Sequence, residues 1–325
     1  MRTTRVIIGL SVAAALFVAG CGTTEETGGT EAAAGSGDPV TVTDSRGKEV
    51  KLDAPAKRVA ATEWNAVEHL VSLGVMPTAV SDIKGYGQWA SAAPLDDTPK
   101  DIGTRGEPSI DTLGSLDLDL VVVTDSLTEG ALEQIEARIP VIVINGGDVK
   151  DSIGTMFDNL DLIAKATGTE DKAAQLKSDF DAKIAEGKAE VEKLGAAGEK
   201  VAFADAWVDS GTVSIRPFAK GSLVADVFER IGLENPWQME GDPVYGLAQA
   251  DVEGLTKLGD VRFWYMANEV EGDPFADALA DNAIWKNLPF VKNGKVARLP
   301  DSLWMFGGPQ SMAQYVDAAI EALKA

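Results

Sequence analysis

From residue 58 onward, short runs of consecutive apolar residues are each followed by a stretch with apolar positions every three or four residues. Residues 58–62 lead to 67–73, 120–124 to 132–138, and 141–144 to 153–166. Strand-like runs alternating with helical patterns predict a parallel sheet with crossover helices. Ahead of them, residues 39–52 alternate apolar and polar around Asp44-Ser45-Arg46-Gly47, the pattern of a hairpin. Residues 170–194 break the alternation. There Ala173, Leu176, Phe180, Ile184, Gly187, Val191 and Leu194 recur at steps of three and four, with Lys, Asp and Glu on the other faces. One long amphipathic helix is expected, closed by the glycines at 195 and 198. Strand–helix alternation then restarts at 201–206, 212–215, 223–231, 261–266 and 296–299, and ends in a helix near 311–323. The predicted fold class is α/β. Two lobes with mainly parallel sheets, 39–169 and 196–325, are joined by a single linking helix over 170–195, with a ligand cleft between them.

The first residues set an address. Arg2 and Arg5 precede an apolar run from 6 to 17, too short to span a bilayer, and small residues follow up to Cys21. That is the layout of an export signal over residues 1–20. A cysteine at the cut resembles the lipobox of bacterial lipoproteins, which implies that Cys21 becomes the lipidated first residue of the mature chain. An ordinary signal with a chance cysteine is the alternative. Residues 21–38 are small, acidic and without hydrophobic period, so they read as a flexible tether. Such a coil spans roughly 20 Å on average. The expected localisation is the extracytoplasmic face of the cell membrane, held by lipid.

Composition narrows the chemistry. The chain of 325 residues carries 51 acidic and 29 basic residues, a net charge of −22 that loss of Arg2 and Arg5 deepens to −24. A surface that negative repels phosphate backbones, so nucleic acid is not an expected partner. One cysteine and one histidine exclude an internal disulfide, a cysteine metal cluster and any mechanism needing a histidine pair. No phosphate loop, dinucleotide fingerprint or GxSxG elbow is present. No carboxylate pair is singled out by spacing, so neither a catalytic residue nor an enzyme is expected, and no cofactor or protein-held metal. His69 falls among Val67, Leu70 and Val71 and reads as a structural residue.

Aromatic residues and arginines instead gather at predicted strand ends and in loops: Tyr86, Trp89, Arg105, Trp207, Arg216, Trp237, Tyr245, Trp304 and Phe306. Loops beyond strand ends are where open α/β sheets bind ligands. Trp and Tyr offer apolar area with a polar edge, and Arg a fixed fork for oxyanions. For any one of them core packing explains the position equally well. Residue types alone lead to an exported, two-lobed binding protein.

Longer stretches carry more. The run from RVAATEWNAVEHLVSLGVMP through GTRGEPSIDTLGSLDLDLVVVTD is similar to the first lobe of iron-siderophore substrate-binding proteins of ABC importers. GSLVADVFERIGLENPW and IWKNLPFVKNGKVARLPDSLWMFGGPQSMAQYVDAAIEAL are similar to the second lobe. The resemblance covers residue 39 to the end and is nearest to the ferrichrome/hydroxamate type. It implies that Arg105, in Gly103-Thr104-Arg105-Gly106-Glu107-Pro108, hydrogen-bonds the iron-ligating oxygens. Tyr86 with Trp89, Trp237, Trp304 and Phe306 match the family's aromatic lining. Trp64, closing RVAATEW, is counted with them. Leu127 stands where the family has a ligand-contacting tyrosine, and Tyr245 is a candidate replacement; Arg216 is included on its loop position. The resemblance also implies one acidic residue per lobe that docks the permease, here Asp111 and Asp251.

The expected function is therefore capture of a ferric siderophore, iron bound only through its chelator, and delivery to an ABC importer permease by a monomer. Haem, cobalamin, and catecholate or carboxylate siderophores are alternatives of the same class, and a surface-scaffold lipoprotein one of another. Strongly anionic ligands usually call for several cleft cations, whereas only Arg105 and Arg216 are evident here, which favours a neutral or cationic hydroxamate complex.

Overall fold

In the computed structural model, which describes residues 37–325, the apolar runs of the first half are strands of a parallel sheet. The export segment, Cys21 and the tether up to residue 36 lie outside the described residues. Five strands lie in the spatial order Lys100–Asp101, Ala79–Val80, Val59–Ala61, Leu120–Thr124 and Val141–Ile144, every neighbouring pair parallel. Each residue of the last three is buried. Burial on both faces is what a sheet sandwiched between helices demands, and it explains unbroken rather than alternating apolar runs. The hairpin Val40–Thr43 with Glu49–Leu52 precedes this lobe, turning at Gly47 with φ of 77°.

The second sheet has the order Thr212–Pro217, Val201–Asp209, Arg262–Met266 and Val296–Arg298. Its first pair is an antiparallel hairpin, and the other pairs are parallel. The hairpin turns through Ser210 and Gly211, both at positive φ (50° and 82°), the conformation that matches the twist of two paired strands.

In chain order the helix Glu170–Lys193, of 24 residues and so about 36 Å long, joins the two sheets. Glu170 and Asp171 place negative charge on its first turn and Lys193 positive charge on its last, both favourable to the helix dipole. Ala173, Leu176, Phe180, Gly187 and Val191 form its buried stripe. Gly187 permits a close crossing: a Cβ there would lie 2.5 Å from Val316 Cγ1 on the terminal helix Pro309–Lys324. Hydrogen bonds also span the two halves. Asn268 Nδ2 and Ser302 Oγ both donate to the Gln88 carbonyl, at 3.0 and 2.9 Å, and Ser152 Oγ donates to Asp226 at 2.5 Å. Among the described residues no helix is long and apolar enough to cross a membrane.

Candidate functional site

The carboxyl ends of the first sheet's strands and the hairpin of the second face a common cleft. Glu63 and Trp64 follow Val59–Ala61, Thr124 ends its strand, and Arg216 lies on Thr212–Pro217. This is where open α/β sheets leave backbone ends and loops free for ligands. A cavity of about 210 Å³ there is lined by Glu63, Arg105, Arg216, Tyr245, Trp304 and Phe306, among others.

Arg105 occupies the tight turn between Gly103–Thr104 and Glu107–Pro108, which Gly106 closes at φ of 76°. Its Nε and Nη2 both lie 2.8 Å from Glu63 Oε2. The guanidinium carbon sits 4.2 Å from the Trp64 ring centroid and 5.3 Å from that of Trp304. Trp64 is buried, its Nε1 donating to the Ser81 carbonyl at 3.3 Å, and meets Trp304 edge-on at 4.8 Å. Trp64 is thus the floor under Arg105. An arginine has five N–H donors, so the pairing with Glu63 leaves others for a ligand oxygen.

Arg216 is held in the same way. Its register partner across the hairpin is Asp205, and its guanidinium forks onto that carboxylate through Nε–Oδ1 at 2.8 Å and an Nη2–Oδ2 contact. Phe306 lies 5.5 Å from the guanidinium carbon and Trp207 5.8 Å. Burial pushes the Asp205 carboxyl above its ordinary value, and Arg216 opposes that shift. Phe306 ties the walls together, edge-on to Trp304 at 5.2 Å and to Tyr245 at 5.3 Å. Burial, reinforced by the charges of Asp125 and Glu63, pushes the Tyr245 phenol up to about 12, so it stays protonated at neutral pH. Its loop is fixed by Asp242, which accepts from the backbone of Val244, Tyr245 and Leu247.

The structure therefore brings Arg105, Arg216, Tyr245, Trp304 and Phe306 together, with Trp64 beneath them. Trp89 lies apart, on the wall of an adjoining hollow, with its Nε1 donating to Glu271 at 3.2 Å. Tyr86 and Trp237 do not line this cavity. Tyr86 is 1% exposed and donates to the Ala93 carbonyl at 2.6 Å; Trp237 is 6% exposed and donates to the Phe203 carbonyl at 3.0 Å. Both belong to the core, each with its polar atom satisfied by backbone. Leu127 is likewise buried, packed with Val123, Ile135 and Ile139 rather than facing the cleft. Asp111 and Asp251 are exposed, on the first turn of Ile110–Ser115 and before Gly254–Lys257, where Asp251 accepts from the Gly254 amide at 2.9 Å. His69 is buried with no partner for Nδ1, and burial lowers its imidazole to about 4.

Sequence reasoning missed the two carboxylates that hold the arginines, Glu63 and Asp205. For Asp205 a signal existed: folding a hairpin about Ser210-Gly211 puts residue 205 opposite 216. Glu63 pairs with a residue 42 positions away, and no local pattern shows it.

A model of the periplasmic binding protein family matches residues 59–303. The iron(3+)-hydroxamate-binding protein FhuD of Escherichia coli is 27% identical over 260 residues, covering 80% of this chain and 84% of that one. A Bacillus subtilis protein named as a probable siderophore-binding lipoprotein, YfiY, is 24% identical over 327 residues, with 95% and 94% covered. Among solved structures, the Fe3+–Desferal-bound siderophore-binding protein FhuD of Vibrio cholerae superposes with a TM-score of 0.73 at 22% identity, covering 83% of this chain and 98% of that one.

Proposed function

Since the chain belongs to the periplasmic binding protein family, we propose that it captures a ferric hydroxamate siderophore in the cleft and hands it to an ABC importer permease. The observation that carries the reading is the pairing of both cleft arginines with carboxylates, Arg105 with Glu63 and Arg216 with Asp205. Each guanidinium still offers directed N–H donors for oxygens around iron, yet its charge is already compensated. A cleft so balanced suits a complex of little net charge, as three hydroxamates make with ferric iron. A multiply charged catecholate complex would find no uncompensated cation in exchange for its lost hydration. The aromatic walls of Trp304, Phe306 and Tyr245 supply apolar contact for the chelator's backbone.

The protein makes and breaks no bond in this role, and the iron is cargo held by the chelator. Tyr245, kept protonated, and His69, shut in the core, are poor axial ligands, which argues against haem. Export and lipidation at Cys21 would tether the body, as a monomer, to the outer face of the membrane. A domain arrangement of two lobes, 39–169 and 196–325, about the linking helix then presents one exposed acid from each lobe, Asp111 and Asp251, to the permease.

Tryptophan fluorescence of the full chain, titrated with ferrichrome and with a ferric tris-catecholate, tests the ligand class. Saturable quenching by ferrichrome at least tenfold tighter than by the catecholate is expected. The reverse order would overturn the hydroxamate assignment, and no quenching by either would overturn siderophore capture.

A further inference from the structure

Beyond Arg216 the cleft opens into a second hollow of about 560 Å³. Arg216 belongs to both walls, so the two spaces adjoin. Their chemistry differs. Two indoles flank the second hollow, Trp89 from the first lobe and Trp207 from the hairpin of the second. Trp207 is 44% exposed, and with Val208 at 52% it makes an apolar rim.

Of the four carboxylates on its wall, Asp205, Glu271, Asp273 and Asp277, two are not compensated. Asp205 is matched by Arg216, and Asp273 is engaged by the Tyr265 hydroxyl and the amides of Phe275 and Ala276, with Arg298 at 3.6 Å. Glu271 accepts only from Trp89 Nε1 and Asp277 only from the Asp273 amide, and among the described residues neither lies within ion-pair distance of a lysine or arginine. The negative charge of Glu271 also reaches Asp205, opposing ionisation there. A hollow with aromatic walls, an apolar rim and two uncompensated carboxylates repels an anionic arm and gains nothing from a neutral polar one. It favours an alkylammonium: methylenes on the rim, and the charged head between carboxylates and ring faces.

The geometry points to this hollow as a subsite for a protonated amine carried by the ferric hydroxamate bound next to it. The assignment rests on the hydroxamate reading and adds to it the chemical class of substituent. The siderophore taken up is then cationic, an iron core against the arginines with an amine-terminated chain extending past Arg216 towards Trp89 and Trp207.

Two probes differing in one charge test this on the full chain. Ferrioxamine B is a linear ferric trihydroxamate ending in a primary ammonium, and its N-acetyl derivative keeps the iron core but loses the charge. The wild-type protein should bind the ammonium form about five- to thirtyfold more tightly. In the double variant Glu271→Gln, Asp277→Asn that ratio should fall towards one. The comparison in wild type needs no variant to fold. Equal dissociation constants for the two probes, or a ratio that survives the double substitution, would overturn the amine subsite while the hydroxamate reading stands. If ferrichrome and both ferrioxamines all fail to bind, the underlying reading falls and the subsite with it.

Discussion

Glu68, in the first lobe, caps the helix that ends the second: its Oε1 accepts from the Ser311 amide at 3.0 Å and its Oε2 from the Ser311 hydroxyl at 2.6 Å. The first amides of a helix have no partner within it, and Pro309–Lys324 finds one across the lobe boundary. Gly307 leaves room for this, since a Cβ there would lie 2.1 Å from Glu68 Oε2. Burial raises the Glu68 carboxyl above its ordinary value, with the Ser311 bonds opposing.

A raised folded-state value means that the stabilisation is complete below the unfolded value near 4.5 and is lost as pH rises through the folded one. Glu68→Gln keeps an acceptor for the amide and cannot ionise. Its unfolding midpoint should equal or exceed the wild-type midpoint at pH 8, and its stability should decline less between pH 5 and 8. Glu68→Ala should cost about 1–3 kcal/mol by leaving the amide unpaired. Chemical denaturation across that pH range checks both.

His69 has the opposite sign. Its imidazole falls from 6.5 to about 4 in the fold, so the unfolded chain takes up a proton first. Stability is full above 6.5 and lost as pH falls through 4, by up to about 3 kcal/mol. As the chain has a single histidine, the term can be isolated. Urea midpoints of wild type and His69→Gln, compared from pH 7.5 to 4.5, should converge on acidification; parallel lines would contradict the burial argument.

Arg105→Ala removes the ligand donor and also leaves Glu63 unpaired in the cleft. Affinity for ferrichrome should fall about ten- to a hundredfold, the worth of one charge-assisted hydrogen bond. Glu63→Gln added to Arg105→Ala should recover part of that loss, because the stranded carboxylate is gone. Fluorescence titration of the three proteins separates the lost donor from the stranded charge.

Asp111→Lys with Asp251→Lys should abolish siderophore uptake by cells while the ferrichrome affinity of the purified protein is unchanged. Rim charges act on partner engagement rather than on a buried site. Uptake that survives the double reversal would remove these two residues from the docking surface.

Much of this was readable where many residues repeat one signal. The stripe from Ala173 to Val191 is the helix Glu170–Lys193, and the apolar runs at 120–124 and 141–144 are neighbouring, fully buried strands of the first sheet. Ala79–Val80 and Lys100–Asp101 were not legible, since two residues carry no period. In the site, residue type suggested aromatics and arginines but not their direction. Tyr86 and Trp237 look like Trp304 in a sequence, yet only Trp304 lines the cavity, while the other two turn their polar edges to backbone carbonyls. The carboxylates that neutralise the arginines depend on the meeting of distant strands.

The linking helix bears on how a transporter could recognise a loaded carrier. Glu170–Lys193 packs closely against the terminal helix at Gly187, and Gln88, Asp226 and Glu68 are bonded across the halves, contacts that brace the frame against bending. Cargo would then leave the spacing of the two lobes almost unaltered, and the outline of the full carrier would resemble that of the empty one. What changes is the face at the mouth of the cleft, where an iron complex replaces water beside Trp207 and Arg216. Discrimination would rest on touch at that mouth rather than on a difference in posture.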